Sequence, residues 1–151
     1  MHEIFKKRHS TRSFIDREVE EEKLAEILEA VDSSPSAGNL KAREIIVVKE
    51  KQVKNKLVSA CRGQAFVAEA GVILVFCAVS SRSGARYGER GKNLYALQDA
   101  TIAVCFAWLQ AVALGLAGCW VGAFNENEVR EILKINNDWR PIALLPIGYA
   151  K

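Results

Sequence analysis

The chain has 151 residues and a formal net charge of +3, and 50% of its side chains are hydrophobic and 26% charged. A chain of this length can bury a substantial core, so we expect one globular domain over residues 1–151. The net charge is small and no basic stretch is interleaved with aromatic residues, which excludes a nucleic-acid surface as the expected function.

The first half of the chain alternates between helical and strand patterns. A short helix is predicted at residues 1–7, and an amphipathic helix at 20–33, where apolar residues recur at helical spacing. The proline- and glycine-containing segment 34–39 is predicted to be a loop, and the β-branched run 44–49 a strand. A further helix is indicated around residues 53–58.

The second half is predicted to contain three strands, two helices and a polar, glycine-containing loop. Asn125 and Glu128 have the spacing of a helix N-cap and a capping box. In chain order the elements are a buried strand at 71–79, a loop at 80–91, a helix at 93–114 that ends at Gly115, a strand at 118–124, a helix from Asn125 to about Ile135, and a strand at 141–149.

Residues 100–118 are long and apolar enough to be mistaken for a membrane span. Small side chains on one face would let another element approach closely, so we predict a buried core helix and no membrane association. The alanines on that face are Ala96, Ala100, Ala103, Ala107 and Ala111.

Several kinds of site are excluded by the spacing of the residues they need. The four cysteines are far apart and only two histidines occur, so no metal site is expected. No dinucleotide fingerprint, P-loop or nucleophile elbow is found. The first residues do not resemble a secretory signal, so we expect reduced thiols and a cytoplasmic protein.

Five segments, in this order and at these separations, resemble the FMN-dependent nitroreductase family in its short form. The resemblance runs from about residue 4 to residue 149. The segments are RHSTR at 8–12, SPSAGNLK at 34–41, YGERGKNLYALQDA at 87–100, LGLAGCWVGAF at 114–124 and LLPIGY at 144–149.

The resemblance implies an α+β fold, with a central mixed or antiparallel sheet flanked by helices, that forms an intertwined homodimer. Two FMN molecules would lie at the dimer interface, each touched by both subunits. The alanine-rich face of the long helix suits such a dimer core.

In the first motif, the resemblance assigns FMN contacts to Arg8, His9, Ser10 and Arg12. Arg8 and Ser10 would hold the phosphate and ribityl end, since guanidinium and hydroxyl groups form charge-assisted hydrogen bonds with phosphate. Arg12 would reach the N(1)/carbonyl edge of the ring. A cation there stabilises the negative charge of the reduced ring and raises its potential as an oxidant.

The remaining contacts come from three other segments. One loop would be presented to the flavin by the other subunit, and the backbone of a strand would pass near N(5), where small residues allow close approach. The residues assigned are Pro35, Ser36, Ala37 and Asn39 in the loop, Gln64, and Val121, Gly122 and Ala123 in the strand. No catalytic side chain is expected, because the chemistry takes place on FMN.

Two departures from the family pattern concern local contacts. Many members continue beyond the last strand with a cation that completes the phosphate site; here Lys151 or Arg90 would have to serve. Lys41, Ala42 and Arg43 stand where Gln, Pro and Trp are common, which affects local packing more than the chemistry.

The implied activity is transfer of hydride from NADH or NADPH, through FMN, to a nitroaromatic, a quinone or a related electrophile. One alternative is a specialised relative, such as a dehalogenase-like reductase or the synthase of the cobalamin lower ligand. These relatives usually carry a lid insertion, whereas here the corresponding span is only the short segment 80–92. The other alternative is a flavin-binding storage or sensor module without turnover.

Overall fold

The computed structural model describes residues 1–151 and contains one four-stranded sheet flanked by helices. The strands lie in the order β1-β2-β4-β3, and every neighbouring pair is antiparallel. The strands are β1 (Arg43–Val48), β2 (Val72–Val79), β3 (Ala117–Gly118) and β4 (Trp139–Gly148). The helices are α1 (Glu3–Lys7), α2 (Glu21–Ser33), α3 (Lys51–Ala60), α4 (Phe66–Glu69), α5 (Ser80–Arg90), α6 (Ala96–Ala113) and α7 (Glu126–Leu133). The predicted α+β class is confirmed, in its antiparallel form.

Strand β2 is the centre of the molecule, and all eight of its residues are buried. Successive side chains on a strand point to opposite faces. Accordingly, Val72, Leu74 and Phe76 pack in the core formed with α2 and α6. Ile73, Val75 and Cys77 pack in the second core, which includes residues of α3, α4 and α7. The sheet is therefore covered by helices on both faces, as its continuous apolar run predicts.

Helix α6 is the predicted core helix, and its alanines pack inside the chain itself. Ala103, Ala107 and Ala111 are fully buried in the core shared with α2, β2 and β4. Ala96 and Ala100 are buried beside Ala42 and Ala78. The prediction that this face lies in a dimer core is wrong, because the sheet and α2 already cover it. By length and composition alone, the helical stretch Ser80–Ala113 would suffice to cross a membrane.

The segment 80–91, predicted to be a loop, is helical in the structure. Helix α5 kinks at Gly88 (φ 57°, ψ −142°) and continues through a π-helical turn, Gly91–Tyr95, into α6. Arg82 fastens α5 to the start of β1, where it donates to the carbonyl of Lys41 at 2.6 Å and pairs with Glu44. Composition predicts a loop here, but these tertiary contacts stabilise helix.

The predicted strand at 118–124 is shorter in the structure, where only Ala117–Gly118 is regular. Cys119 donates its N–H to the carbonyl of Pro146 at 3.2 Å, but proline has no N–H to donate in return. Val121 regains a single bridge to Leu144 of β4. The missing donor therefore interrupts the ladder.

Helix α7 begins as predicted and ends two residues early. The side chain of Asn125 accepts from the N–H groups of Asn127 and Glu128, which confirms the N-cap. Glu128 accepts from the side chain of Asn125, whose own N–H donates to Ala60, so the backbone half of the capping box is not made. Lys134 adopts a left-handed φ of 50° and ends the helix.

All four cysteines are free thiols, and three of them are buried. Burial raises the pKa of Cys61 to about 11 and that of Cys77 to about 12. These two thiols therefore stay protonated at neutral pH and act as apolar packing groups.

A polar cluster fastens residue 149 to the start of α2. The hydroxyl of Tyr149 donates to Glu20 Oε2 at 2.6 Å, Lys23 donates to that hydroxyl at 2.9 Å, and Arg17 lies 3.9 Å from the centre of the Tyr149 ring. The hydrogen bond from Tyr149 is the main cause that lowers the pKa of Glu20 from 4.5 to about 2.

This cluster predicts an acid-sensitive contribution to stability. Because the folded-state pKa of Glu20 is depressed, the contribution is present above pH 4.5 and is lost as the pH falls toward about 2. We expect Tyr149→Phe to raise the pKa of Glu20 and to move acid unfolding to higher pH. Carboxyl titration by NMR measures the first effect, with Tyr87→Phe as the control. An unchanged Glu20 titration in Tyr149→Phe would show that the tyrosine is not the cause.

Candidate functional site

The first motif runs along the edge of the sheet, beside β3. After α1 ends at Lys7, the chain extends and Ser10 forms a parallel bridge with Gly118. The N–H of Thr11 donates to the carbonyl of Gly118 at 3.0 Å. This pairing fixes the backbone of the motif against the segment that follows α6.

Both arginines of the motif lack an acidic partner. The guanidinium carbon of Arg8 lies 4.6 Å from the centre of the Trp108 ring on α6, and Arg12 is exposed. Neither guanidinium takes part in an ion pair or donates a hydrogen bond within the chain, whereas most other arginine side chains do. His9 is exposed, and its Nδ1 lies 2.9 Å from the carbonyl oxygen of Lys7. Two uncompensated positive charges therefore remain available to an anion.

Cys119 lies close to this motif, and the pKa of its thiol is influenced by the charge of Arg12. Burial raises the pKa of the Cys119 thiol, while Arg12 and Ser10 act to lower it. The thiol is 1% exposed, which confirms that Cys119 is a packing residue. The positive charge of Arg12 therefore acts on the segment that follows β3.

The segment 121–123 presents free backbone donors at the same edge. Val121 exchanges two hydrogen bonds with Leu144, at 2.8 and 3.0 Å. Gly122 and Ala123 are exposed, and their N–H groups have no backbone partner. Gln64 joins them, because its Nε2 lies 3.4 Å from the carbonyl oxygen of Ala123 and 2.9 Å from that of Cys61. The structure thus places Arg8–Arg12 and Val121–Ala123 along the same edge of the sheet, with Gln64 beside Ala123.

The loop with Pro35, Ser36, Ala37 and Asn39 lies elsewhere, at the start of α6. Oδ1 of the buried Asp99 accepts from the N–H of Ala37 at 3.0 Å, and Oδ2 accepts from Ala42 at 3.1 Å. Asp99 and Trp108 are nine positions apart, which is about 14 Å along a helix. On one chain, the loop and the first motif therefore contact different ends of α6.

The loop forms one wall of a cavity of about 580 Å³. Residues at the start of α6 form the rest of the lining, among them Tyr95, Leu97 and Ile102. Arg12, Gly122 and Ala123 are exposed, so the surface along this edge of the sheet is open in the single chain.

The structure accounts for the departures at residues 41–43. Arg43 is 4% exposed and donates to the carbonyls of Val31 at 2.7 Å and Ser34 at 3.4 Å, near the end of α2. Burial lowers its pKa, although the carboxylate of Asp99 opposes that change. Ala42 is fully buried, and Lys41 pairs with Asp32 at 2.5 Å. The arginine therefore fills the interior position through its own hydrogen bonds.

The two cations suggested to complete the phosphate site lie at different places. The N–H of Lys151 donates to Ser13 at 3.2 Å, so Lys151 lies beside the first motif. Its Nζ is 3.7 Å from Glu69. Arg90 donates to the hydroxyl of Tyr95 at 3.0 Å, near the start of α6. Within one chain, Arg90 therefore lies at the start of α6 and not beside the first motif, and its part in a phosphate site stays a prediction.

Sequence reasoning missed the roles of Asp99 and Trp108. The signal for Asp99 was an acidic residue within an otherwise apolar helix, which is costly to bury unless it is hydrogen-bonded. Nothing in the sequence indicated that Trp108 contacts Arg8, because an aromatic residue in an apolar helix is usually a core packing residue.

The donor set at the open surface suits FMN. It offers the Arg8 guanidinium and the Ser10 hydroxyl for a phosphate, and the Arg12 guanidinium and unpaired backbone N–H groups for ring atoms that accept hydrogen bonds. Gly122 is exposed and has no Cβ, so its own side chain does not keep a flat ligand from the backbone. No group of three or more His, Cys, Asp or Glu side chains is placed to hold a metal ion.

The chain is similar to known proteins along its length. A model of the nitroreductase family matches residues 5–76 and 59–149. The FMN reductase [NAD(P)H] of Bacillus subtilis is 32% identical over 165 residues, which cover 99% of this chain and 66% of that protein. A Methanocaldococcus jannaschii protein is 36% identical over 104 residues, covering 69% of this chain and 51% of its own length. The chain thus spans about half to two thirds of these relatives.

Solved structures share the fold. The FMN-dependent nitroreductase from Clostridium difficile superposes with a TM-score of 0.84 and 33% sequence identity, and the alignment covers 98% of this chain and 86% of that one. The similarity therefore extends over nearly the whole of this chain.

Proposed function

The chain belongs to the nitroreductase family, and on this premise we propose that it is a cytoplasmic, FMN-dependent oxidoreductase that uses NADH or NADPH. One observation carries the proposal: unpaired arginines and free backbone N–H groups occupy the same open edge of the sheet. Bound FMN would supply hydride transfer from NAD(P)H to a nitroaromatic, quinone or related electrophilic acceptor.

The protein's part in this reaction is to bind and orient the cofactor and to set the charge around it. Arg8 and Ser10 would hold the phosphate and ribityl end, with His9 beside them. Arg12 would place its positive charge at one edge of the ring, and Gln64 would contact the same end. The N–H groups of the 121–123 segment would donate to the ring at the opposite edge. Because the surface is open, it would admit acceptors of several shapes.

A homodimer would complete the site. The loop residues Pro35, Ser36, Ala37 and Asn39 are about 14 Å along α6 from the first motif, so the loop would serve the partner's flavin. Phe106 on α6 is 37% exposed and Phe5 on α1 is 55% exposed, and these two helices pack together. An apolar surface of this kind supports association with a second copy.

Flavin binding and turnover test the proposed function. Purified protein, with FMN added, is expected to retain the flavin through gel filtration and to oxidise NADH or NADPH when a quinone is present. Protein that binds no FMN would contradict the proposal. A flavin-bound protein without turnover would instead support a storage or sensor module.

Arg12→Ala should lower turnover or flavin potential more than Lys6→Ala does. Arg12 has no acidic partner and would face the ring, whereas Lys6 is exposed and pairs with Glu3 at 2.9 Å. We expect turnover to fall roughly tenfold or more in Arg12→Ala, together with a more negative flavin potential. If both substitutions had small effects of equal size, Arg12 would be a solvated surface charge that does not act on the flavin.

A further inference from the structure

Trp108 occupies a junction between three parts of the site. It lies on α6 and is 9% exposed, and the guanidinium of Arg8 stacks over its ring at 4.6 Å. On another side, a Cβ added to Gly118 would lie 3.2 Å from Cδ1 and Nε1 of Trp108. Gly118 in turn pairs with the backbone of the first motif. One indole ring thus contacts Arg8 directly and the strand that carries the motif.

The stacking leaves the donors of Arg8 free. A cation–π contact uses the charge of the guanidinium and takes no hydrogen-bond acceptor, so the N–H groups remain able to donate to a ligand. No carboxylate or carbonyl of the chain accepts from the guanidinium of Arg8, whose backbone N–H alone donates, to Ile4. A long, flexible side chain is therefore restrained without any of its hydrogen bonds being used.

We propose that Trp108 is a positioning residue that holds Arg8 in the orientation needed to grip the phosphate of FMN. The inference rests on the proposed function, in which Arg8 binds that phosphate. Restraint before binding lowers the side-chain entropy lost when the phosphate arrives. The indole ring of Trp108 also shields one side of the guanidinium from water, which strengthens the interaction of Arg8 with an anion.

Riboflavin, which has the ring and ribityl chain of FMN but no phosphate, separates positioning from packing. We expect Trp108→Leu to weaken FMN binding about tenfold, which is the scale of a partly desolvated cation–π contact. Binding of riboflavin should change less than about twofold, because riboflavin lacks the phosphate that Arg8 would grip. Dissociation constants come from quenching of flavin fluorescence. Equal losses for the two flavins, or no loss of FMN affinity, would overturn the inference.

Two further variants keep the test decisive if Trp108→Leu does not fold. Trp108→Phe keeps an aromatic face and should retain most of the FMN affinity, with a loss of about two- to threefold relative to the wild type. This loss should affect FMN and not riboflavin. Trp108→Phe therefore tests the inference even if Trp108→Leu does not fold. Trp139→Leu, in a half-buried tryptophan at the start of β4, should change neither constant. A Trp108→Phe variant that loses both flavins equally would overturn the proposal.

Coupling to Arg8 completes the test. In an Arg8→Ala background, Trp108→Leu should cause no further loss of FMN affinity, because the group it positions is gone. Additive losses would overturn the inference. Wild-type protein that binds neither FMN nor riboflavin would contradict the proposed function itself, which is a different result.

Discussion

Asp99→Ala is expected to lower the free energy of unfolding by about 3 to 5 kcal/mol, which makes Asp99 a principal support of the loop at 35–42. Asp99 is 2% exposed and accepts from the N–H groups of Ala37 and Ala42. Hydrogen bonds to a charged acceptor are stronger than neutral ones, and both donors would lose their acceptor, that of Ala42 in an interior closed to water. Ala42 itself is fully buried.

Asp99→Ala would also destabilise the surroundings of Arg43. The guanidinium of Arg43 is buried close enough to Asp99 for the carboxylate to influence the pKa of the arginine. Without Asp99, the positive charge of Arg43 would keep its carbonyl acceptors near the end of α2 and the smaller influence of the exposed Asp32. Removing a buried negative group that offsets a buried positive one is costly for this reason. The effect therefore combines lost hydrogen bonds with a less compensated charge.

Urea unfolding measures the effect, with Asp32→Ala as the matched control. Asp32 pairs with Lys41 beside the same loop, but its side chain is 72% exposed, so its removal should change stability little. Asp99→Asn should fall between the wild type and Asp99→Ala, since one amide oxygen can still accept. A small shift of the urea midpoint for Asp99→Ala, equal to that of Asp32→Ala, would contradict this account.

Secondary structure was predictable from the sequence where local pattern and tertiary packing agree. The apolar spacing of α2 and the continuous apolar run of β2 each describe the burial found in the structure. The N-cap at Asn125 is likewise a local device, since it needs only the side chain and the first turn of α7. Such elements depend on residues close together in sequence.

The sequence-based predictions were wrong where the local structure depends on contacts with residues that are distant along the chain. Helix α5 is stabilised by contacts of Arg82 with residues 41–44, some 40 positions away, and no local pattern reveals them. The alanine face of α6 is equally suitable for a second chain and for the chain's own sheet, and only the fold shows that the sheet takes it. For the site, the motifs indicated which residues to consider, while the support of Arg8 by Trp108 required the packed structure.

Gly91→Ala is expected to destabilise the junction between α5 and α6 by about 2 to 4 kcal/mol. A Cβ at this position would lie 2.5 Å from the carbonyl oxygen of Ser83 and 2.9 Å from Cβ of Tyr87. Gly91 has ordinary helical angles (φ −61°, ψ −49°), so the cost arises from the close approach and not from its backbone conformation. Because the obstructing atom belongs to the backbone of α5, the helix itself would have to move.

Gly84→Ala on the same helix is the matched control. There an added Cβ meets only the side chain of Lys92, which is exposed and can rotate away, while alanine favours helix over glycine by about 1 kcal/mol. We expect Gly84→Ala to be neutral or slightly stabilising, and Gly91→Ala to lower the urea midpoint and speed amide exchange in residues 83–95. Similar midpoints for the two variants would mean that α5 does not depend on close contact at Gly91. The contrast holds because the two glycines meet different obstacles: a mobile side chain can move aside at little cost, whereas a hydrogen-bonded backbone cannot.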